Sequence, residues 1–409
     1  MSADGFYQAL GLRGYTLLGC WRTREGQIEV LVEVPRMSLK CRDCDSPHVH
    51  IHEHKLRSWQ APPLGLDPVT ICMNTPRVKC IRCGKQTWHQ PTFVNGQKRI
   101  TKLFEEYIEK WLSRLTIQDA AEVLGISWNT VRDIDLQRLK KLSRPELEGL
   151  THLAIDEKHL GKQHGFVTIV IDLHTRAIVS VLKGRGKTAL APFFSKLKAA
   201  GAKVQAVATD MAGGYIAAVQ ELLPEAVLVF DHFHIVKLMN DKLTSLRRDM
   251  YHELKDKLHR DVIKGTRWLL VKNVKNPENL KITDKVDEVA RLTDALKLNE
   301  SLAKAYYLKD ELRQFWCQKG KAQAEKFLEA WCRRASATGI RQLQTMSKTL
   351  QRHRGGLLNW YDEQISTGPL EGINNKIESL KRRAYGYRNY PHLQERLLTL
   401  HHTKFSLRG

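Results

Sequence analysis

Residues His152–Leu160 read HLAIDEKHL, a short apolar run (Leu153, Ala154, Ile155) that stops at two adjacent carboxylates, Asp156 and Glu157. A run of that length and composition fits a buried strand. Buried strands do not ordinarily finish on side-by-side acids, because an unpaired charge next to a core is costly. Outward from this stretch the pattern alternates strands with helices. Gly165–Gly184 (GFVTIVIDLHTRAIVSVLKG) gives two apolar runs around His-Thr-Arg, a hairpin. Lys187–Ala200 reads as an amphipathic helix, and Val204–Thr209 as a strand followed by Asp210-Met-Ala-Gly-Gly-Tyr215. A helix through Leu223 leads to a strand at Ala226–Phe230, followed by Asp231-His-Phe-His234. Three strands therefore end in acid, at Asp156, Asp210 and Asp231.

The order strand, hairpin, helix, strand, helix, strand is that of an RNase H-like core. Ligands of open α/β sheets gather beyond the carboxyl ends of strands. The first and fourth strands of this core are neighbours, so Asp156 and Asp210 meet. Two close carboxylates repel unless a cation lies between them. Oxygen donors suit Mg²⁺ or Mn²⁺, which polarise a phosphate and activate water or a 3′-hydroxyl. A third acid is offered far downstream, in Ser366–Asn389 (STGPLEGINNKIESLKRRAYGYRN). Gly368-Pro369 marks a helix start, Ile373, Ile377 and Leu380 form an apolar stripe, and Glu371, Asn374, Asn375 and Glu378 share the other face. Glu371 and Glu378 both qualify by position. Glu371, in the first turn, is preferred, because Glu378 has Arg382 at i+4 as a partner.

Ahead of this core, Cys41-Arg-Asp-Cys44 and Cys80-Ile-Arg-Cys83-Gly84 form a CxxC…CxxC pair. Four thiolates so spaced close a tetrahedral Zn²⁺ site with no open position, a structural zinc ribbon. His48, His50, His52 and His54 alternate nearby and are read as an exposed strand face. The stretch from Thr116 to Arg132 (TIQDAAEVLGISWNTVR) has helix-turn-helix spacing: Ala121 where helices touch, Gly125 in the turn, Val131 as anchor. Ser127 is placed as N-cap of the second helix. With Trp128, Asn129, Thr130 and Arg132 it forms the expected DNA-reading surface. Leu136–Glu148 reads as a further helix and linker. The chain of 409 residues carries 66 Lys+Arg against 44 Asp+Glu, a net charge of +22, which points to a polyanionic partner. No apolar run is long enough to span a membrane, and the start lacks a secretion signal, so a cytoplasmic protein is expected.

Zinc ribbon, helix-turn-helix and an interrupted Asp…Asp…Glu core together resemble the DDE transposases of bacterial insertion sequences. The likeness is carried by the IDE strand end, TDMAGGY, FDHFHIVK and EGINNKIESLKRRAYGYRN. It implies that Asp156, Asp210 and Glu371 are the catalytic triad holding Mg²⁺ or Mn²⁺, with Glu157 outside it. Asp231 and His234 resemble a (Cys/Asp)-x-x-His signature near the active site. The resemblance further implies binding to terminal inverted repeats, end cleavage, and attack of the freed 3′-hydroxyl on target DNA by a dimer or larger assembly on bacterial nucleoid DNA. Phosphate contact is assigned to Lys381, Arg382, Arg383 and Arg388.

The expected fold is multidomain α/β: residues 1–95 with the zinc ribbon, 96–149 helix-turn-helix and linker, 150–239 and 361–409 the RNase H-like core with its basic tail, and 240–360 an all-α insertion. About 160 residues separate Asp210 from Glu371, and this insertion accounts for them, with Trp268, Trp316, Trp331 and Trp360 as its core anchors. The rival functions are an RNase H-like nuclease or resolvase without strand transfer, and a non-catalytic DNA-binding regulator.

Overall fold

The computed structural model describes residues 9–264, 266–271, 291–297, 299–384 and 386–402. The expectations touching residues 1–8, 272–290, Tyr385 and the tail at 403–409 lie outside the described residues. The chain divides into two compact units, Met1–Leu142 with His402–Gly409 and Ser143–His401.

The first unit opens with a five-stranded sheet. Strands β1 (Thr16–Arg22), β2 (Ile28–Glu33), β4 (Asp67–Cys80) and β3 (Val49–Leu64) run in that spatial order, and β5 (Gln86–Trp88) also pairs with β4. Val30, Ile71, Met73, Trp59 and Phe93 lie in its core. Three helices follow: α1 (Lys102–Leu112), α2 (Ile117–Leu124) and α3 (Trp128–Lys141). Their boundaries follow from local chemistry. Thr116 and Asp119 form a reciprocal capping box at the start of α2. Gly125 ends that helix at φ +62°, a left-handed conformation that favours glycine. The oxygen of Ser127 accepts the Thr130 N–H at 3.2 Å to start α3. No separate helix begins at Leu136: α3 runs without a break to Lys141, because the buried Val131, Ile134 and Leu139 carry one apolar face along it.

The second unit holds a five-stranded sheet in the order β10-β9-β6-β7-β8. Its strands are β6 (His152–His159), β7 (Phe166–Asp172), β8 (Ile178–Lys183), β9 (Ala206–Thr209) and β10 (Val227–Phe230). β6, β7 and β8 are antiparallel neighbours, whereas β9 is parallel to β6 and β10 to β9. This is the RNase H-like core. The hairpin turn is fixed by Asp172, whose carboxylate accepts the backbone N–H groups of His174 and Thr175. Helices α4 (Lys187–Ala199) and α5 (Gly213–Leu222) cover one face, where Leu153, Ile155, Val170 and Val207 pack with Phe194, Leu197 and Tyr215. A Cβ on Gly214 would stand 3.0 Å from the Gly186 Cα, so two glycines let the starts of these helices meet.

From β10 the chain enters helices: α6 (His232–Glu253), α7 (Lys257–Ile263), α8 (Arg267–Val271), a helical stretch at 291–297, α9 (Glu300–Leu312), α10 (Lys321–Ala337), α11 (Arg341–Arg352) and α12 (Arg354–Leu358). Among the described residues, all of these but α7 contribute to one core, which holds the fully buried Trp331, whose indole N–H donates to the Leu308 carbonyl. Trp316 packs against that core, but Trp268 does not anchor it. Trp268 is 64% exposed, beneath the Arg267 guanidinium. The chain then returns through α13 (Gly368–Arg383) and α14 (Tyr390–Leu398) to the sheet, α13 meeting β6 and α14 meeting β8.

Candidate active site

Asp156 does not terminate its strand. β6 continues to His159, paired with β7 throughout. What ends near Asp156 is the parallel partner: β6 pairs with β9 only over His152–Ala154, and β9 stops at Thr209. Carried two residues further, the same register sets Asp156 beside Asp210. The strand runs on because its antiparallel neighbour still supplies hydrogen bonds, while the open edge left by β9 frees space for a ligand. Asp231 follows β10 in the same way, its N–H donating to the Thr209 carbonyl.

Helix α13 crosses this edge, and its contacts fix its path. The Thr367 N–H, just before the helix, donates to Asp231 Oδ1 at 3.3 Å. Two turns later on the polar face, Asn374 Nδ2 donates to Asp156 Oδ2 at 3.0 Å. Glu378 then pairs with Lys158 at 3.0 Å, two residues along β6 from Asp156. The helix therefore passes from the end of β10, over the end of β9, to β6. Glu371 sits between the Thr367 and Asn374 anchors on the same helix face, and its side chain is exposed; among the described residues its carboxylate does not join those of Asp156 and Asp210 in one metal-sized group. The polar face faces the sheet edge while Ile373, Ile377 and Leu380 are buried.

Glu378 does not use Arg382 as its partner. It holds Lys158 and, one turn away, Lys381 at 3.2 Å. A lysine on the neighbouring strand β6 outcompetes the i+4 arginine, whose side chain stays exposed. Asn374 and Lys158 are the residues that sequence reasoning passed over. Their signal was present: Asn374 and Glu378 lie four apart on one helix face, and Asp156 and Lys158 lie two apart on one strand face. Nothing in the sequence pairs those two patterns.

Electrostatics separate the acids. Burial pushes the Asp156 carboxyl up from its ordinary value. His234, the Glu157 N–H and Asn374 pull it down, and Asp210 pushes it up again. Asp210 accepts the Ala212 N–H at 3.0 Å in the turn into α5. Glu157 points the other way, opposite Thr168 in the β7 register, and its charge, like those of Asp210 and Asp156, bears on the buried Tyr215 hydroxyl. That hydroxyl stands at about 12, chiefly because of burial. Asp231 is buried and does not cap its own helix. It receives Thr367 instead, with His232 Nδ1 at 3.5 Å. Three buried polar atoms near this edge have no hydrogen-bond partner among the described residues: Thr209 Oγ1, Asp231 Oδ2 and Asn374 Oδ1.

In the first unit, Cys41, Cys44, Cys80 and Cys83 converge, with all four sulfurs within 4.8 Å of one another. The two knuckles match. The Asp45 N–H donates to the Cys41 carbonyl and the Gly84 N–H to the Cys80 carbonyl, each at 3.0 Å, and Asp45 and Gly84 both take positive φ. Cys41–Cys83 and Cys44–Cys80 are 3.6 and 3.5 Å apart. These separations are close to the roughly 3.8 Å between ligand sulfurs of a tetrahedral zinc with about 2.3 Å bonds. Cys80 stands at about 6, mainly because the Cys83 backbone N–H donates to its sulfur. His48, His50, His52 and His54 are exposed, outside this cluster. At the start of α3, Ser127, Trp128 and Asn129 are exposed, Thr130 and Arg132 half-buried, and the Arg132 guanidinium lies over the Trp128 ring while pairing with Asp133.

An RNase H-like sheet with acids at its edge, joined in one chain to a helix-turn-helix and a four-cysteine cluster, is the composition of a DNA-processing polynucleotidyl transferase. Residues 153–397 match a family described as transposase, the DDE transposases of the ISL3 group. Residues 90–139 match the helix-turn-helix domain of transposase family ISL3. The chain is 30% identical over 353 residues to the transposase for insertion sequence element IS1001 of Bordetella parapertussis, covering 85% of each chain. It is 27% identical over 365 residues to the transposase for IS1557 of Mycobacterium tuberculosis, covering 82% of this chain and 79% of that one. The chain belongs to the ISL3 family of DDE transposases. It is a DNA-binding, metal-dependent enzyme of insertion-sequence transposition, and among the described residues no helix is long and apolar enough to cross a membrane.

Proposed function

We propose that Asp156, Asp210 and Glu371 are the catalytic triad of this transposase and hold Mg²⁺ or Mn²⁺. The observation that carries the reading is the path of α13, pinned at Asp231 and at Asp156 with Glu371 between the pins. The donor chemistry suits a hard cation, carboxylate oxygens at a sheet edge with partnerless polar oxygens near them, and Glu371 would have to close on the two aspartates to complete the set. When bound, the cation supplies Lewis-acid polarisation of the scissile phosphate and lowers the pKa of water. The chain's own part is orientation. Asp156 is held by Asn374 and by the Glu157 N–H, Asp210 by the Ala212 N–H. His234 lies close enough to bear on Asp156 electrostatically, and Asp231 braces the start of α13.

The remaining assignments follow from chemistry. The Cys41, Cys44, Cys80 and Cys83 thiolates hold a structural Zn²⁺. Ser127, Trp128, Asn129, Thr130 and Arg132 meet the terminal inverted repeats. Arg382, Arg383 and Arg388 bind phosphates beside the active site. Lys381 joins them once DNA draws it from Glu378. The five-segment division at 95, 149, 239 and 360 is kept as a proposed functional map, although α6 runs unbroken across position 239 and the compact units divide at Leu142, and two element ends call for a dimer or larger assembly on DNA. Asp156→Asn tests the core of this reading: strand cleavage of an end substrate is lost while gel-shift binding to the same end is unchanged. Retained cleavage would overturn it, and a 3′-end joining assay separates transposition from simple nuclease action.

A further inference from the structure

Asn374 lies in direct contact with a proposed metal ligand and has no assigned role. Its Nδ2 donates to Asp156 Oδ2 at 3.0 Å, while the Glu157 N–H donates to Asp156 Oδ1 at 2.8 Å. Both oxygens of that carboxylate are thus hydrogen-bonded, one to each donor, which restricts its orientation. The amide has one sensible orientation, because turning it over would set Oδ1 against a carboxylate that only accepts. In that orientation Oδ1 is buried with no partner among the described residues. A buried amide oxygen left bare is costly unless a ligand or water donates to it. Asn374 is also tied to its position: Ile373 and Ile377 on either side are buried, and Glu378, one turn on, is held by Lys158.

We infer that Asn374 is a positioning residue for the metal site, resting on the assignment of Asp156 as a ligand. Its Nδ2 sets the Asp156 carboxylate in the orientation a divalent cation requires, and its Oδ1 accepts from water held at the same site. Partners that orient a ligand from behind commonly account for about 10–100-fold in metal affinity.

The experiment measures Mn²⁺ binding to the full chain by calorimetry, for wild type, Asn374→Leu, Asn374→Ser and Asp156→Asn. Leucine keeps the branched shape, though it is bulkier, and removes donor and acceptor; the smaller serine, too short to reach Asp156, carries the same test should leucine fail to fold. The expected result is a Mn²⁺ dissociation constant raised about 10–100-fold in the Asn374 variants, with end-DNA binding and metal-free melting temperature unchanged. Cleavage then needs correspondingly more Mg²⁺ and recovers at saturating metal. Wild-type Mn²⁺ affinity in both Asn374 variants overturns the inference, as does a loss confined to metal-free stability. If Asp156→Asn also binds Mn²⁺ like wild type, the triad reading itself is what has failed.

Discussion

At the scale of single residues, the contrast between Glu371 and Glu378 decides how the site is read. Both lie on the polar face of α13, yet only Glu378 is consumed by lysines. Its pKa reflects this: burial pushes it up, but hydrogen bonds from Lys158 and Lys381 outweigh that and hold it below the usual carboxylate range. A depressed carboxylate contributes stability that is present above its unfolded value and lost as pH falls through the folded one. Glu378→Gln should therefore lower the neutral-pH stability by less than about 1 kcal/mol, since the pair is partly solvated. Melting curves should show the difference closing as pH is lowered through the carboxylate range; a difference that persists in acid would count against the ion pairs. The same substitution frees two cations beside the active site, so the salt dependence of DNA binding should steepen.

At the scale of elements, the start of α13 depends on how β10 is seated. Phe230 is buried at the end of β10, with its ring edge-on to His353 at 5.2 Å. A Cβ on Gly356 in α12 would lie 2.4 Å from that ring. Gly356 is required for close approach and not for its backbone angles, since α12 is ordinary helix. Gly356→Ala should cost about 1–3 kcal/mol as the phenyl is forced aside. Because Asp231 follows Phe230 and receives the Thr367 N–H, the cleavage rate should also fall, while end binding by the helix-turn-helix is kept. Unchanged melting and cleavage together would show that the ring yields freely.

At the scale of the whole molecule, two compact units carry separable chemistry. The four-cysteine cluster ties the ends of β3 and β4, because Cys44 and Cys41 precede one strand and Cys80 closes the other. Metal binding there is folding free energy for the knuckles. A zinc-selective chelator should lower amide-exchange protection at Cys41–Ser46 and across the β3–β4 ends, leaving the β6–β9 ladder protected. Loss of protection in both places would mean that the units do not fold independently.

Read along the chain, the local features were already settled: the CxxC pairs, the Gly125 turn, the Ser127 cap, and the alternation of strands and helices around HLAIDEKHL. Each depends on residues a few positions apart, so periodicity and turn chemistry suffice. Composition likewise announced a polyanionic partner through a charge of +22. Contacts across the sheet edge were not legible. Asp156 looked like a strand terminus, yet β6 runs past it because β7 still pairs there and only β9 has ended. Asn374 reaching Asp156, Glu378 choosing Lys158 over Arg382, and Trp268 lying outside the helical core all join segments far apart in sequence or turn on which face packs. Such choices are made by packing, which brings together groups whose separation along the chain carries no information about their distance in space.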